Sequence, residues 1–281
     1  MRHLEKIKII TDSTADLPKE IYEKYDIEVL PVLINFQEES YLDGIEINPD
    51  KVFEKIEKDN ILPTTGQIIP TRFIETYQKY LDEGYKILSI HMSSAMSGTY
   101  QSACIAKNTI ESDDIMLVDS QNIAPALGIL VLKAAVLLEK GNSLDDTFKI
   151  IDSAKYNVKT LMCFESLEYL IRGGRISKTA GMVGSVFGIK LILDIKDGLM
   201  SVKDKIRGNK KAIKKIISEL EEAQLDEDVP ILLVDAKNVE IKAAFLEYLQ
   251  ENNMKYTECP LGSSVCIHSG PNCCGLIYLT K

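Results

Sequence analysis

The chain has 281 residues, enough for one large domain or two of medium size, with 45% hydrophobic residues, 27% charged residues and no tryptophan. Its formal net charge of −9 argues against a nucleic-acid partner, because phosphate contacts need a basic surface. No apolar run reaches the roughly 18–20 residues of a membrane span, and the charged opening lacks the apolar core of a signal peptide, so a cytoplasmic protein with reduced thiols is expected.

Residues 8–11 form a β-rich run that stops at the polar turn Asp12-Ser13-Thr14-Ala15-Asp16. Residues 17–25 carry a proline near their start and a helical pattern, and 28–34 are the next strand. A helix over 50–58 is capped by Asp50, with Val52, Phe53 and Ile56 at helical spacing, and a second helix covers 71–83. A strand at 86–90 ends in the small polar loop 91–98. It is followed by a helix at 99–109, a strand at 114–119 and a strongly apolar helix at 124–141. Strand, loop and helix repeated in this way predict an α/β fold with a mostly parallel sheet and helices on both faces.

The pattern then changes. A helix at 144–154 and a strand at 158–164 lead into 166–188, which holds Gly173, Gly174, Gly181, Gly184 and Gly188 with a basic cluster of Arg172, Arg175 and Lys178. Residues 190–195 and 199–202 read as a hairpin around Asp197-Gly198, a strong turn signal. A helix at 210–224 precedes strand 229–235, helix 239–252 and strand 255–258. Two domains are expected: an N-terminal α/β domain over 1–155 and a mixed α/β domain over 156–281.

Parallel sheets bind ligands at the carboxyl ends of their strands. Three loops qualify, 12–16, 93–98 and 119–124, all dense in small polar residues that also serve as helix caps. The six cysteines form no C-x-x-C pair and there are only three histidines, so buried reduced thiols are expected and no metal site. Nucleophile-elbow, phosphate-loop, dinucleotide and zinc-helix signatures are absent. Ser97, His268 and Asp119 are the formal candidates for a spatial triad, with no local motif behind them.

Several segments together resemble the DegV family. They are Ile9-Ile10-Thr11-Asp12-Ser13-Thr14-Ala15-Asp16-Leu17-Pro18, Pro63-Thr64-Thr65-Gly66-Gln67, the run from Ser93 to Ala103, Val118-Asp119-Ser120, Gly173-Gly174-Arg175-Ile176-Ser177 and His268-Ser269-Gly270-Pro271. They occur in family order over essentially the whole chain, about 4–281. The resemblance implies a long-chain fatty acid held between two α/β domains. It also implies a role as the binding subunit of a two-part bacterial fatty acid kinase, whose ATP-using partner makes the acyl phosphate. On this resemblance Thr65, Ser97 and Gly98 match the carboxylate-binding loops, His268 sits by the head group, and Arg175 and Arg207 face the kinase or its phosphate. No catalysis alone and no cofactor other than the bound acid are implied.

The chemistry of those residues suits an anion. Hydrogen bonds to a charged group are stronger than neutral ones, and Ser97-Gly98 should precede a helix whose free N–H groups favour negative charge. A histidine can donate one N–H and, once protonated, balance charge. Residues 123–132 and 182–192 are candidate walls for the acyl chain. Three positions depart from the family pattern: Gly66 stands where serine is common, Leu191 replaces a proline, and Asn272-Cys273 replace Gly-Ala. Two rival readings stand beside the carrier: a hydrolase or transferase using Ser97, and a lipid-sensing module without a kinase.

Overall fold

The computed structural model describes residues 5–59, 61–176 and 188–281. The first sheet is parallel, in the order β2-β1-β6-β7, from β1 (Ile7–Asp12), β2 (Glu28–Leu30), β6 (Lys86–His91) and β7 (Ile115–Asp119). Successive residues of each strand point to opposite faces. Ile10, Ile87 and Ile115 therefore pack with Phe73, Tyr77 and Ala103 of α3 (Pro70–Asp82) and α4 (Thr99–Ile110). Ile9, Leu88, Ile90 and Val118 face α5 (Pro125–Glu139), beside which lies α6 (Leu144–Ala154).

The second sheet is mixed, in the order β10-β9-β8-β13-β11-β12, from β8 (Val158–Phe164), β9 (Ile189–Lys196), β10 (Leu199–Arg207), β11 (Ile231–Asp235), β12 (Tyr256–Pro260) and β13 (Cys274–Leu279). Its Met162, Leu193, Val234 and Ile277 face α5. Leu161, Ile192, Leu233 and Leu276 face α8 (Asn209–Glu221) and α9 (Val239–Glu251) on the other side. The layers are thus helix, parallel sheet, helix, mixed sheet, helix. The α/β class, the parallel N-terminal sheet and the mixed C-terminal part all agree with the sequence pattern.

The middle layer follows from composition. Apart from Lys133 and Glu139, α5 carries no charge, and all of it except Val136, Leu138 and Glu139 is buried. A helix that is apolar all round must be covered all round. Lys133 is buried with it and is satisfied by Asp226 and Asp228 at 2.6 and 2.9 Å, just before β11.

Four local details differ from the sequence reading. The expected strand at 28–34 is broken at Pro31, which has no N–H to give a ladder. β2 stays in the parallel sheet, whereas β3 (Leu33–Phe36), β4 (Glu39–Leu42) and β5 (Thr64–Gly66) make a separate antiparallel sheet. The cap of α2 (Pro49–Asp59) is Asn48, whose Oδ1 accepts the Lys51 N–H at 2.9 Å, and not Asp50. The short helix α10 (Ser263–Ser269) and strand β13 were not anticipated, because β13 is buried on both faces and shows no alternation. The β9–β10 hairpin is as expected: Asp197 and Gly198 both have positive φ, 51° and 74°, the type I′ turn.

α5 lies so close to the turn after β1 that a methyl added at Gly128 would sit 2.4 Å from the Ala15 carbonyl oxygen. In a free helix alanine is better than glycine by about 1 kcal/mol. Here Gly128→Ala should instead lower stability by about 1–3 kcal/mol, because backbone has to move. Urea unfolding measures it, and a stabilised variant would contradict this packing.

Candidate functional site

Between the carboxyl ends of the first sheet, α10 and the inner face of the second sheet lies a cleft. Its empty space is about 1030 Å³, counting what is open at the mouth. Apolar side chains make up most of its wall: Met92 and Met96 from the loop between β6 and α4, Ile123 and Ala124 at the start of α5, and Met162, Phe164, Ile195, Met200, Val234 and Ile277 from the second sheet. Four methionines give this wall an adaptable, polarisable surface. Ala124 has φ 59° and ψ −155°, a region almost reserved for glycine, so the backbone is strained where it borders the cleft.

One group of polar residues also lines it. Thr65 lies on β5, and the hydroxyl Oγ1 is 2.9 Å from His268 Nε2 on α10, 203 residues away. α10 packs on β3 and β5, which brings the two together. His268 comes so close to α7 (Glu168–Gly173) that a Cβ at Gly173 would meet its Nδ1 at 2.4 Å. Only glycine allows this approach. Ser97 precedes α4, and its Oγ accepts the Thr99 N–H at 3.3 Å and lies 3.1 Å from Thr99 Oγ1. Gly98 is the residue from which α4 starts, and its missing side chain leaves room for Gln67, whose Nε2 donates to Ser102 Oγ at 3.1 Å.

The Arg175 side chain also reaches the cleft, donating from Nε to the Met96 carbonyl at 3.2 Å and from a terminal nitrogen to the Gly173 carbonyl at 2.5 Å. Arg207 is exposed at the far end of β10 and does not line the cleft. Burial, with Arg175 and Arg172 adding to it, pushes His268 from its ordinary 6.5 down to about 4. The imidazole is therefore neutral at physiological pH. Arg175 and Arg172 contribute positive charge beside it.

Of the three candidate loops, 93–98 supplies Met96, Ser97 and Gly98, and 119–124 supplies only Ile123 and Ala124. Loop 12–16 does not reach the cleft. Asp12 is consumed by the fold: it accepts the Met92 N–H at 3.0 Å, the Thr14 N–H at 3.2 Å and a bond from buried His91 at 3.0 Å. The formal triad is not assembled. Asp119 accepts from the Ser94 and Gln121 N–H groups, both at 3.1 Å, His268 bonds Thr65, and Ser97 bonds Thr99.

The expected wall segments are corrected as well. Within 123–132 only the first two residues border the cleft, the rest being core of α5, and within 188–192 none does. Residues 182–187 and Lys178 lie outside the described residues. Among the described residues no group of three or more His, Cys, Asp or Glu side chains converges as a metal site would require, and no helix is long and apolar enough to cross a membrane. Of the departing positions only Gly66 lines the cleft, with Leu33 Cβ 3.2 Å from where its own Cβ would be, whereas Leu191 and Cys273 are core.

A family model for an uncharacterised protein of the DegV family matches residues 6–281. A DegV domain-containing protein of Clostridium perfringens is 54% identical over 278 residues, 99% of this chain and 100% of its own length. The chain belongs to the DegV family. Among solved structures, DegV of Bacillus subtilis, a fatty acid binding protein, superposes with a TM-score of 0.85 at 31% identity, covering 99% of this chain and 100% of its own. A DegV family protein of Thermus thermophilus, whose structure concerns fatty acid binding, gives a TM-score of 0.89 at 27% identity over 98% of this chain and 100% of its own.

The depressed His268 of this DegV-family chain has a signed consequence for stability. The folded chain takes up its proton only near pH 4, whereas the unfolded chain does so near 6.5. Stability contributed relative to a non-titrating residue is therefore lost as pH falls from about 6.5 toward about 4. Urea unfolding of wild type and His268→Gln across that window checks it. The difference should move against the wild type on acidification, and a flat difference would show that His268 is not held neutral.

Proposed function

We propose that this protein binds a long-chain fatty acid in the cleft, with the carboxylate at Thr65, Ser97, Gly98 and His268, and does no chemistry alone. The observation that carries this is a mostly apolar cleft that also holds polar residues from three distant parts of the chain. The fatty acid binding of the Bacillus subtilis and Thermus thermophilus relatives supports it.

Neutral His268 donates from Nε2 to Thr65 Oγ1, which leaves the threonine O–H to donate to the carboxylate. Ser97 Oγ–H adds a second donor, and the N–H groups that open α4 and the Arg175 charge supply favourable potential. The tail supplies affinity. At about 0.8 kcal/mol per methylene, a chain of about 16 carbons offers roughly 12 kcal/mol before ordering and association costs.

In this reading residues 1–155 carry the carboxylate loops, 156–281 supply most of the tail's wall, and the protein works in the cytoplasm. It presents the acid to an ATP-dependent kinase partner that forms the acyl phosphate. Arg175 stands at the head group. Arg207 lies roughly 23 Å along β10 from Met200, whose N–H meets the Arg175 carbonyl, at about 3.3 Å per residue. Arg207 therefore serves a docking face and not the same phosphate as Arg175.

Denaturing extraction and mass spectrometry of the purified protein should release a long-chain acid. Thr65→Val and Ser97→Ala should each weaken binding of stearate by about tenfold or more, the worth of a hydrogen bond to a charged group. Extraction without lipid, together with no thermal stabilisation by added stearate, would reject the reading. Acyl phosphate should form only when a kinase partner and ATP are both present. Ester hydrolysis by the isolated protein that disappears in Ser97→Ala would show an enzyme instead.

A further inference from the structure

Ser93 lies between β6 and α4, is fully buried and does not line the cleft, although Met92, Met96, Ser97 and Gly98 around it do. The turn that presents Ser97 is wound around it. The Ser93 carbonyl accepts the N–H groups of Met96 at 3.0 Å and Ser97 at 3.2 Å, and its own N–H donates to the Asn122 carbonyl at 2.8 Å. Its hydroxyl oxygen accepts the Ala95 N–H at 3.2 Å.

The hydroxyl proton goes to the other half of the chain. Ser93 Oγ donates to the Gly198 carbonyl at 2.8 Å, at the tip of the β9–β10 hairpin. The fit there is close, since Gly198 is buried and a Cβ on it would lie 2.4 Å from Ser93 Oγ. A serine hydroxyl has one donor and two acceptor positions, so it serves both bonds at once. The same hairpin carries Ile195 and Met200, wall residues of the cleft on either side of the tip. Arg175 adds a second strut: its carbonyl accepts the Met200 N–H at 3.3 Å and its Nε donates to the Met96 carbonyl at 3.2 Å. The turn beneath Ser97 is thus braced by the strands that wall the cleft.

We propose that Ser93 is a positioning residue for the head group: through its hydroxyl the hairpin tip fixes the turn that aims Ser97 at the carboxylate. This rests on the fatty-acid reading and deepens it. Hydrogen bonds weaken steeply when misaligned, and a donor held in place before binding loses less freedom on binding. A buried brace supplies both advantages without touching the ligand.

The test measures stearate binding by calorimetry on wild type, Ser93→Ala, Ser97→Ala and the double variant, with thermal unfolding to check that each folds. In parallel, nuclear magnetic resonance follows the titration of bound stearate labelled at its carboxyl carbon. That titration reads the head group's own hydrogen bonds, which favour the charged form and lower its pKa. Ser93→Ala should weaken stearate binding by about 2- to 10-fold and move the carboxyl titration to higher pH. In the Ser97→Ala background it should do neither, because the donor it positions is gone. Should Ser93→Ala not fold, Ser93→Cys, similar in shape with a weak donor, takes its place in both backgrounds with the same expected direction. An unmoved carboxyl titration, or an equal loss of affinity with and without the Ser97 hydroxyl, would overturn the proposal. If Ser97→Ala weakens stearate binding and the Ser93 variant does not, only this inference fails. If stearate binds but ignores Ser97→Ala, or does not bind at all, the fatty-acid reading fails at its head-group site or entirely and takes this inference with it.

Discussion

A helix with apolar residues on every side has to be covered on every side, and α5 is that helix. One face lies on the parallel sheet against Ile9, Leu88 and Ile90, another on the mixed sheet against Met162, Val234 and Ile277. This shared layer joins the two halves of the chain through one continuous core, so they are not two bodies on a linker. Lys133, past the middle of α5, extends the joint by reaching Asp226 and Asp228. The cleft lies at the opposite end, where α5 begins and Ala124 is held in a strained conformation. Cleft and core are thus two consequences of one packing constraint: the sheets are held apart by a helix, and where the helix starts there is space.

That space has a chemical polarity set by burial. The second sheet turns an apolar face to it, while β5, the loop before α4, and α10 close one part with hydroxyls and an imidazole. Desolvation and the nearby arginines favour the neutral form of His268, which hydrogen-bonds Thr65 in a positive field. An arrangement of this kind suits a ligand with one anionic end and a long apolar body. Ser97 is engaged by Thr99 and His268 by Thr65, so Ser97 and His268 do not pair with each other.

Much of this was legible in the residues, for reasons that differ by element. The Asp197-Gly198 hairpin is local chemistry, because both positions need positive φ. The bounds of α6 match its periodicity because it has one clear core face, and those of β8 follow from a short apolar run buried on both faces. Thr65, Ser97, Gly98 and His268 came from ordered motifs, and the fold brings all four to one cleft. The walls were not legible. Met162, Phe164, Val234 and Ile277 obey the same alternation as core residues, and only tertiary packing decides which apolar side chain meets another and which meets a ligand. Pro31 was a signal that could have been read, since a proline there divides β2 from β3 and sends the chain to a third sheet.

The most direct measurement is a crystal structure of the protein with a long-chain acid bound. The carboxylate should lie within hydrogen-bond distance of Thr65 and Ser97, beside His268, with the alkyl chain against Met162, Phe164 and Ile277. A carboxylate placed elsewhere, at Arg207 or in open solvent, or an acid lying outside the cleft between α5 and the second sheet, would contradict the account.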